Sequence, residues 1–230
     1  MKLHHVLLTA AFALCAIVST SHAQVQLLSN TDFETAFDGN LIGNWGTFEG
    51  DASGANPPPT PALSTVFALS GAQSVNLAIT GQNDAFAGVQ QDVTTGFSVG
   101  DQLELSINAL LDGVSGTGAE FRVEFLDAAG AFIGGQFDFN NDISGGLVDQ
   151  EFTSFTNTNS PITVPTGTVT VRTVLAVQSF GGGADGDTDN SSVFFDDVTL
   201  TNLSVAVPEP ASLSLVALGL VGLVARRRRN

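Results

Sequence analysis

Alternation of apolar and polar residues with a period of two is the feature that most restricts the fold of this 230-residue chain. Almost every second residue is apolar in the segments 103–109, 121–125 and 169–177. Because successive side chains of a strand point to opposite faces, each segment predicts a strand with one buried face. About ten short segments of this kind, with glycine-rich turns and no helical periodicity, predict an all-β antiparallel sandwich.

The other predicted strands alternate less regularly and span residues 24–28, 71–79, 86–93, 131–139, 151–155 and 193–203. Most phenylalanines alternate within strands and are expected in the core. Arg122 has the opposite parity to Phe121 and Val123, so it is expected to point to solvent beside Glu120 and Glu124. We assign no chemistry to it.

The N-terminus has the three parts of a secretory signal peptide. Lys2 precedes the apolar run 6–18, and small residues two apart lead up to Gln24. We therefore expect residues 1–23 to be a signal peptide, cut between Ala23 and Gln24. Residues 24–206 are then one exported domain, long enough for a single packed core.

The C-terminus, residues 207–230, also has three parts. They are the motif Val207, Pro208, Glu209 and Pro210, the uncharged run 211–225, and the cluster Arg226, Arg227, Arg228 and Arg229. As a helix, the run would reach roughly 22 Å, less than the roughly 30 Å hydrocarbon core of a bilayer. This predicts a short transmembrane helix that anchors the chain marginally and for a limited time. Because clustered arginines stay on the cytoplasmic side, the domain should lie outside that membrane.

This C-terminal arrangement resembles the PEP-CTERM sorting signal of Gram-negative bacteria. The resemblance implies an exosortase as a processing partner. It also implies an exported intermediate anchored in the inner membrane, followed by delivery to the cell surface or extracellular matrix. The alternative is an ordinary C-terminal membrane tail that has prolines near it by chance.

Charge restricts the partners of the domain. Residues 24–206 contain two basic side chains, Arg122 and Arg172, against 22 of the 23 acidic residues, since only Glu209 lies outside, which gives a formal charge of about −20. Such a surface repels phosphate backbones and makes nucleic acid a poor partner. Divalent cations and neutral polymers are better candidates, and solubility alone is a further explanation.

Missing residue types restrict the chemistry. The three histidines and the single cysteine, Cys15, fall within residues 1–23, and the chain has no tyrosine. A Ser-His-Asp triad, a cysteine nucleophile, a lysine Schiff base and a His- or Cys-ligated zinc site are therefore excluded from the domain. Carboxylate-based hydrolysis remains possible, but nearby acidic pairs are expected by chance among so many carboxylates. We assign no catalytic residue and expect a protein that is not an enzyme.

Separated segments of the domain resemble the jelly-roll, galactose-binding-like carbohydrate-binding modules. They are residues 30–34 with the downstream Trp45, residues 71–75 and residues 194–200. The resemblance implies a jelly-roll β-sandwich whose first and last strands lie side by side. It also implies a structural Ca²⁺ held by acidic groups of those strands, with Glu34 and Asp196 as ligands and Asp197 as an alternative ligand. Aromatic platforms for sugar stacking are scarce, and Trp45 fits a core position better.

The parity of the last strand gives a physical reason for the metal prediction. Asp196 has the same parity as Val198 and Leu200, so it should face inward with them. A buried carboxylate is costly without a cation or hydrogen-bond donors, and calcium prefers oxygen ligands. The alternative is that Asp196 binds backbone amides at the end of the strand. The acidic loop 181–190 is a second cation candidate, although a solvated flexible loop is the favoured interpretation.

Three classes of function fit these observations. The first is a non-enzymatic surface or matrix protein that binds extracellular polysaccharide or matrix proteins, supports a biofilm and is reinforced by calcium. The second is a purely structural matrix protein without a defined ligand. The third is a carboxylate-dependent glycan hydrolase or lyase.

Overall fold

The computed structural model of this protein describes residues 24–35, 37–38, 41–51, 60–80, 85–113, 118–133, 140–157, 161–178 and 190–204. The strands in these ranges are β1 Val25–Gln26, β2 Phe37–Asp38, β3 Leu41–Ile42, β4 Trp45–Asp51, β5 Ala62–Ser64, β6 Ser74–Thr80, β7 Ala85–Val93, β8 Gln102–Asp112, β9 Gly118–Leu126, β10 Asn140–Asp142, β11 Thr153–Thr156, β12 Ile162–Thr163, β13 Thr170–Gln178 and β14 Asn190–Asn202. A short 3-10 helix spans Ser144–Gly146.

Two antiparallel sheets make up the sandwich. Sheet A has the order β11-β8-β14-β6-β5, with β1 beside β14 and β12 beside β8. Sheet B has the order β10-β9-β13-β7-β4-β3-β2. The first and last strands are neighbours, since Val25 pairs with Asn202. The all-β antiparallel prediction is confirmed, and Gln24–Leu203 form one compact unit.

The core lies between the facing sides of the two sheets. It is built from the alternating residues that defined the predicted strands, such as Leu105 of sheet A and Phe121 of sheet B, both fully buried. Trp45 is also fully buried, and its indole N–H donates to the carbonyl of Asn30 over 3.1 Å. The ring of Phe33 lies 5.4 Å from that of Trp45. The core position predicted for Trp45 is therefore confirmed.

A tight hairpin that the periodicity did not predict joins β3 to β4. Gly43 and Asn44 form its two-residue turn, with φ of +39° and +74°, and Ile42 pairs with Trp45. Positive φ at both central residues matches the twist of the strands that such a turn connects, and glycine and asparagine tolerate it best. The hairpin places Asn44 at the edge of the candidate site described below.

A bulge in β14 corrects the parity argument for Asp196. The pairing of β14 with β8 shifts between Asp196 and Thr199, and Asp197 has φ of +47°. Before the bulge the core residue is Phe195, and after it the core residues are Val198 and Leu200. Asp196 pairs with Asn108 and so lies on the outer face, not on the face of Val198. The extra residue of a bulge reverses the alternation, which is why the predicted inward direction was wrong.

Several predictions concern residues outside the described ranges. These are the signal peptide at 1–23 with its cleavage after Ala23, the sorting tail at 207–230, the acidic loop at 181–189 and most of the strand predicted at 131–139. Among the residues that the structure describes, no helix has the length and hydrophobicity needed to cross a membrane.

Candidate functional site

The outer face of sheet B carries an ordered set of aromatic, polar and charged side chains. They occupy the positions of β4, β7, β13 and β9 that alternate with the core residues. Cross-strand pairing aligns them in four rows: Asp92, Arg172 and Glu124; Gly46, Gln90, Val174 and Arg122; Phe48, Gly88, Ala176 and Glu120; Gly50, Phe86, Gln178 and Gly118. Five of these fifteen positions are glycine or alanine, namely Gly46, Gly50, Gly88, Gly118 and Ala176.

Phe48 and Phe86 form what we call the aromatic platform. Their ring centroids lie 6.2 Å apart, with planes tilted by 38°. The ring of Phe48 lies over Gly88 and that of Phe86 over Gly50, the residues directly opposite on the neighbouring strand. A Cβ atom at either glycine would collide with the ring. The glycines therefore let the two partly exposed rings lie across the sheet.

A shallow pocket of about 260 Å³ lies on the same face, lined by Asn44, Gly46, Gln90 and Asp92. Asn44 comes from the β3–β4 turn, Gly46 from β4, and Gln90 and Asp92 from β7. Two amide groups and a carboxylate supply both donors and acceptors of hydrogen bonds. Gln90 and Phe86 lie on the same side of β7, so the pocket adjoins the aromatic platform.

The two basic side chains of the domain both lie on this face, and both are held by carboxylates. Arg172 makes two hydrogen bonds to Asp92, of 2.7 and 2.9 Å. Arg122 binds Glu120 and, over 2.7 Å, Glu124. The bidentate bond to Asp92 raises the pKa of Arg172 above its ordinary value, although burial opposes the rise. Asp92, next to the pocket, is the most exposed member of this network.

The structure corrects the solvated position expected for Arg122. Its side chain lies on the predicted face and pairs with Glu120 and Glu124, but it is only 16% exposed. Sequence reasoning also missed the aromatic platform, since phenylalanine was expected mostly in the core. The available signal was parity: Phe86 alternates with the apolar residues Ala87 and Val89.

The acidic residues predicted to bind calcium all contact one loop, residues 69–73. Asp196 Oδ2 accepts the backbone N–H groups of Leu69 and Ser70 over 2.7 and 3.1 Å, and its Oδ1 accepts the N–H of Asp197. Asp197 accepts the hydroxyl of Ser70 over 2.7 Å. Glu34 Oε1 accepts two further backbone N–H groups of this loop, those of residues 72 and 73. The predicted ligands are therefore brought together around a common loop.

These contacts match the alternative in which Asp196 binds backbone amides. Burial raises the pKa of Asp196, and the N–H donors of Ser70, Leu69 and Asp197 oppose that rise. In the part of the chain that the structure describes, no three acidic side chains form a group able to hold a metal ion. Calcium binding stays a prediction.

Comparison with known families concerns the C-terminus. Residues 206–229 match the family described as the PEP-CTERM protein-sorting motif. The chain carries a PEP-CTERM sorting motif. The resemblance predicted from residues 207–230 is thereby confirmed. A search of curated proteins gave no match.

Solved structures similar to the chain share its β-sandwich. A xylan-binding domain of carbohydrate-binding module family 22 from Paenibacillus barcinonensis has a TM-score of 0.52 and 18% identity, and the match covers 81% of this chain and 99% of that domain. A cyclase from Fischerella sp. TAU has a TM-score of 0.56 and 13% identity, covering 80% and 100%. The enzymatically active domain of tailspike protein 4 of bacteriophage CBA120 has a TM-score of 0.52 and 15% identity, covering 76% of this chain and 21% of that one. At these identities the likeness shows the fold alone. It confirms the prediction that the chain has a β-sandwich like that of carbohydrate-binding modules.

Proposed function

We propose that this PEP-CTERM protein is an exosortase-processed protein of the cell surface or extracellular matrix whose sandwich binds polysaccharide without cleaving it. The sorting motif supports export and surface delivery. The fold, shared with a xylan-binding module, supports carbohydrate as the ligand class. A role in a biofilm matrix is part of the proposal.

The aromatic platform is the observation that carries the binding proposal. Sugar rings have apolar C–H faces that pack on aromatic rings, while their hydroxyls need hydrogen-bond partners nearby. Phe48 and Phe86 offer the first, and Asn44, Gln90 and Asp92 in the adjoining pocket offer the second. The site lies on rigid strands, which lowers the entropic cost of binding.

The ion pairs favour binding over catalysis. A glycosidase needs one carboxyl group that donates a proton and a second that acts as base or nucleophile. On the outer face of sheet B, the carboxylates of Glu120, Glu124 and Asp92 are all held by arginines. The similarity of the fold to a tailspike domain and a cyclase keeps an enzyme as the second candidate. A structural matrix protein without a defined ligand is the third.

The test is a panel of neutral and acidic polysaccharides examined by affinity electrophoresis with the full-length protein. Phe48→Ala should weaken binding by at least about tenfold, because a central aromatic contact is lost. Phe132→Ala is the matched control, since this exposed phenylalanine lies outside the platform, and it should change affinity less than about twofold. Melting curves of both variants establish that each is folded.

Two results would contradict the binding proposal. Wild-type protein that is retained by no polysaccharide would favour the structural role. Reducing ends released from any member of the panel would favour the hydrolase. Calcium is part of the proposal only as a support of the fold near Glu34, Asp196 and Asp197.

A further inference from the structure

We propose that the outer face of sheet B selects uncharged glycans and rejects uronate-bearing ones, and that Asp92, held in place by Arg172, is the residue that sets this preference. The inference deepens the proposed carbohydrate-binding function and rests on it. It assigns a charge class to the ligand and a specificity role to one ion pair.

The domain has few cationic side chains with which to bind an acidic sugar. A protein binds a carboxylate-bearing sugar through arginine or lysine groups that have donors to spare. Residues 24–206 contain two arginines, no lysine and no histidine. Arg122 contacts Glu120 and Glu124, and Arg172 contacts Asp92 and lies 3.9 Å from Glu124. Three carboxylates against two guanidinium groups leave this network with a net negative charge.

The position of Asp92 brings its carboxylate to the pocket. It lines the pocket beside Asn44 and Gln90, and its side chain is 43% exposed, so a ligand can reach it. A carboxylate accepts hydrogen bonds from sugar hydroxyls, whereas it repels a uronate at the same place. The acidic surface of the whole domain adds to this repulsion at longer range.

Arg172 holds the side chain of Asp92 in place. Its Nε and one terminal nitrogen both bind Asp92, and this bidentate pairing fixes the carboxylate on the sheet. Arg172 therefore acts as a positioning residue for Asp92. If the charge of Asp92 were removed, the guanidinium would lose this anionic partner beside the pocket and become available to an acidic ligand.

The test uses glucuronoxylan, polygalacturonate and alginate, each beside its own carboxyl-reduced form, so that the two members of a pair differ in charge. In any pair that the wild-type protein binds, the carboxyl-reduced polysaccharide should bind at least about tenfold more tightly than the acidic one at low salt. Asp92→Asn should lower the ratio of the two affinities by at least about threefold, because the repelling charge is gone and Arg172 is released. Glu151→Gln removes the same charge at an exposed site beside sheet A and should leave the ratio unchanged.

A second measurement needs no variant. Raising salt from about 0.01 M to about 1 M shortens the Debye length from about 30 Å to about 3 Å, so the wild-type ratio should shrink if charge sets it. Equal binding of both members of a pair, a ratio that salt does not alter, or a ratio that Asp92→Asn does not narrow would overturn this inference and leave the binding function intact. Absence of binding to every member of every pair would instead count against the binding function itself.

Discussion

Replacing Gly88 by alanine is the sharpest test of the geometry of the aromatic platform. An added Cβ would collide with the Phe48 ring and lie 2.7 Å from the carbonyl oxygen of Leu175. The ring can rotate away, but the carbonyl belongs to the backbone of β13 and cannot. Overpacking of this kind costs about 1–3 kcal/mol. Since each kcal/mol lowers Tm by roughly 2–4 °C in a domain of this size, Gly88→Ala should melt about 2–12 °C below wild type.

Gly145→Ala is the matched control, because its Cβ would meet open space and its backbone is not left-handed. Differential scanning calorimetry measures both variants, and affinity electrophoresis measures glycan binding. Gly88→Ala should also bind at least about tenfold more weakly, because the displaced ring no longer lies across the face. A Gly88→Ala protein that melts within about 1 °C of Gly145→Ala and binds like wild type would refute the reasoning.

Two further predictions concern the loop at residues 69–73 and the sorting tail. Asp196→Asn leaves at least one of the three backbone N–H groups without its acceptor and should lower the free energy of unfolding by about 1–3 kcal/mol, whereas Glu151→Gln should change it by less than about 0.5 kcal/mol. Denaturant titration gives the free energy of unfolding of each variant. Thermal melts of the wild-type protein with EDTA and with added CaCl₂ test the calcium prediction, and a Tm that calcium does not raise would contradict it. The surface form of the protein should lack the residues beyond about Pro210, and mass spectrometry that finds the arginine cluster in that form would contradict exosortase processing.

The strands that the sequence predicted best are those whose alternation reflects burial on one face. Segments 103–109, 121–125 and 169–177 became β8, β9 and β13, three central strands of the two sheets. Val169 is an exception, since it precedes β13 and is exposed. Burial of one face imposes the period of two on such strands, so the pattern is visible without knowing their partners.

The bulge in β14 could not be read from the same pattern. Its effect depends on one residue, Asp197, adopting a left-handed backbone, and two consecutive aspartates do not indicate which of them does so. Asp196 is nevertheless buried, because the loop at 69–73 covers the outer face at that point. The sequence therefore predicted correctly that Asp196 is buried, but the side chain lies on the outer face of the sheet and not on the core face that the parity indicated.

The candidate site could not be predicted from the sequence either. Its rows depend on the register between β4, β7, β13 and β9, and register is a long-range property that periodicity does not fix. Arg172 and Asp92 are 80 positions apart and meet only because their strands pair. The sorting motif, in contrast, is a contiguous segment whose parts lie in fixed order, and the sequence was sufficient to identify it.

The position of β14 has a mechanical consequence. This strand of 13 residues leads directly to the C-terminal segment and is bonded to β8 on one side and β6 on the other. Force applied along the axis of β14 would load its hydrogen bonds to β8, and those of residues 190–195 to β6, in shear instead of opening them one after another. If the protein is displayed at the cell surface as proposed, this arrangement would resist unfolding under a pull along that strand.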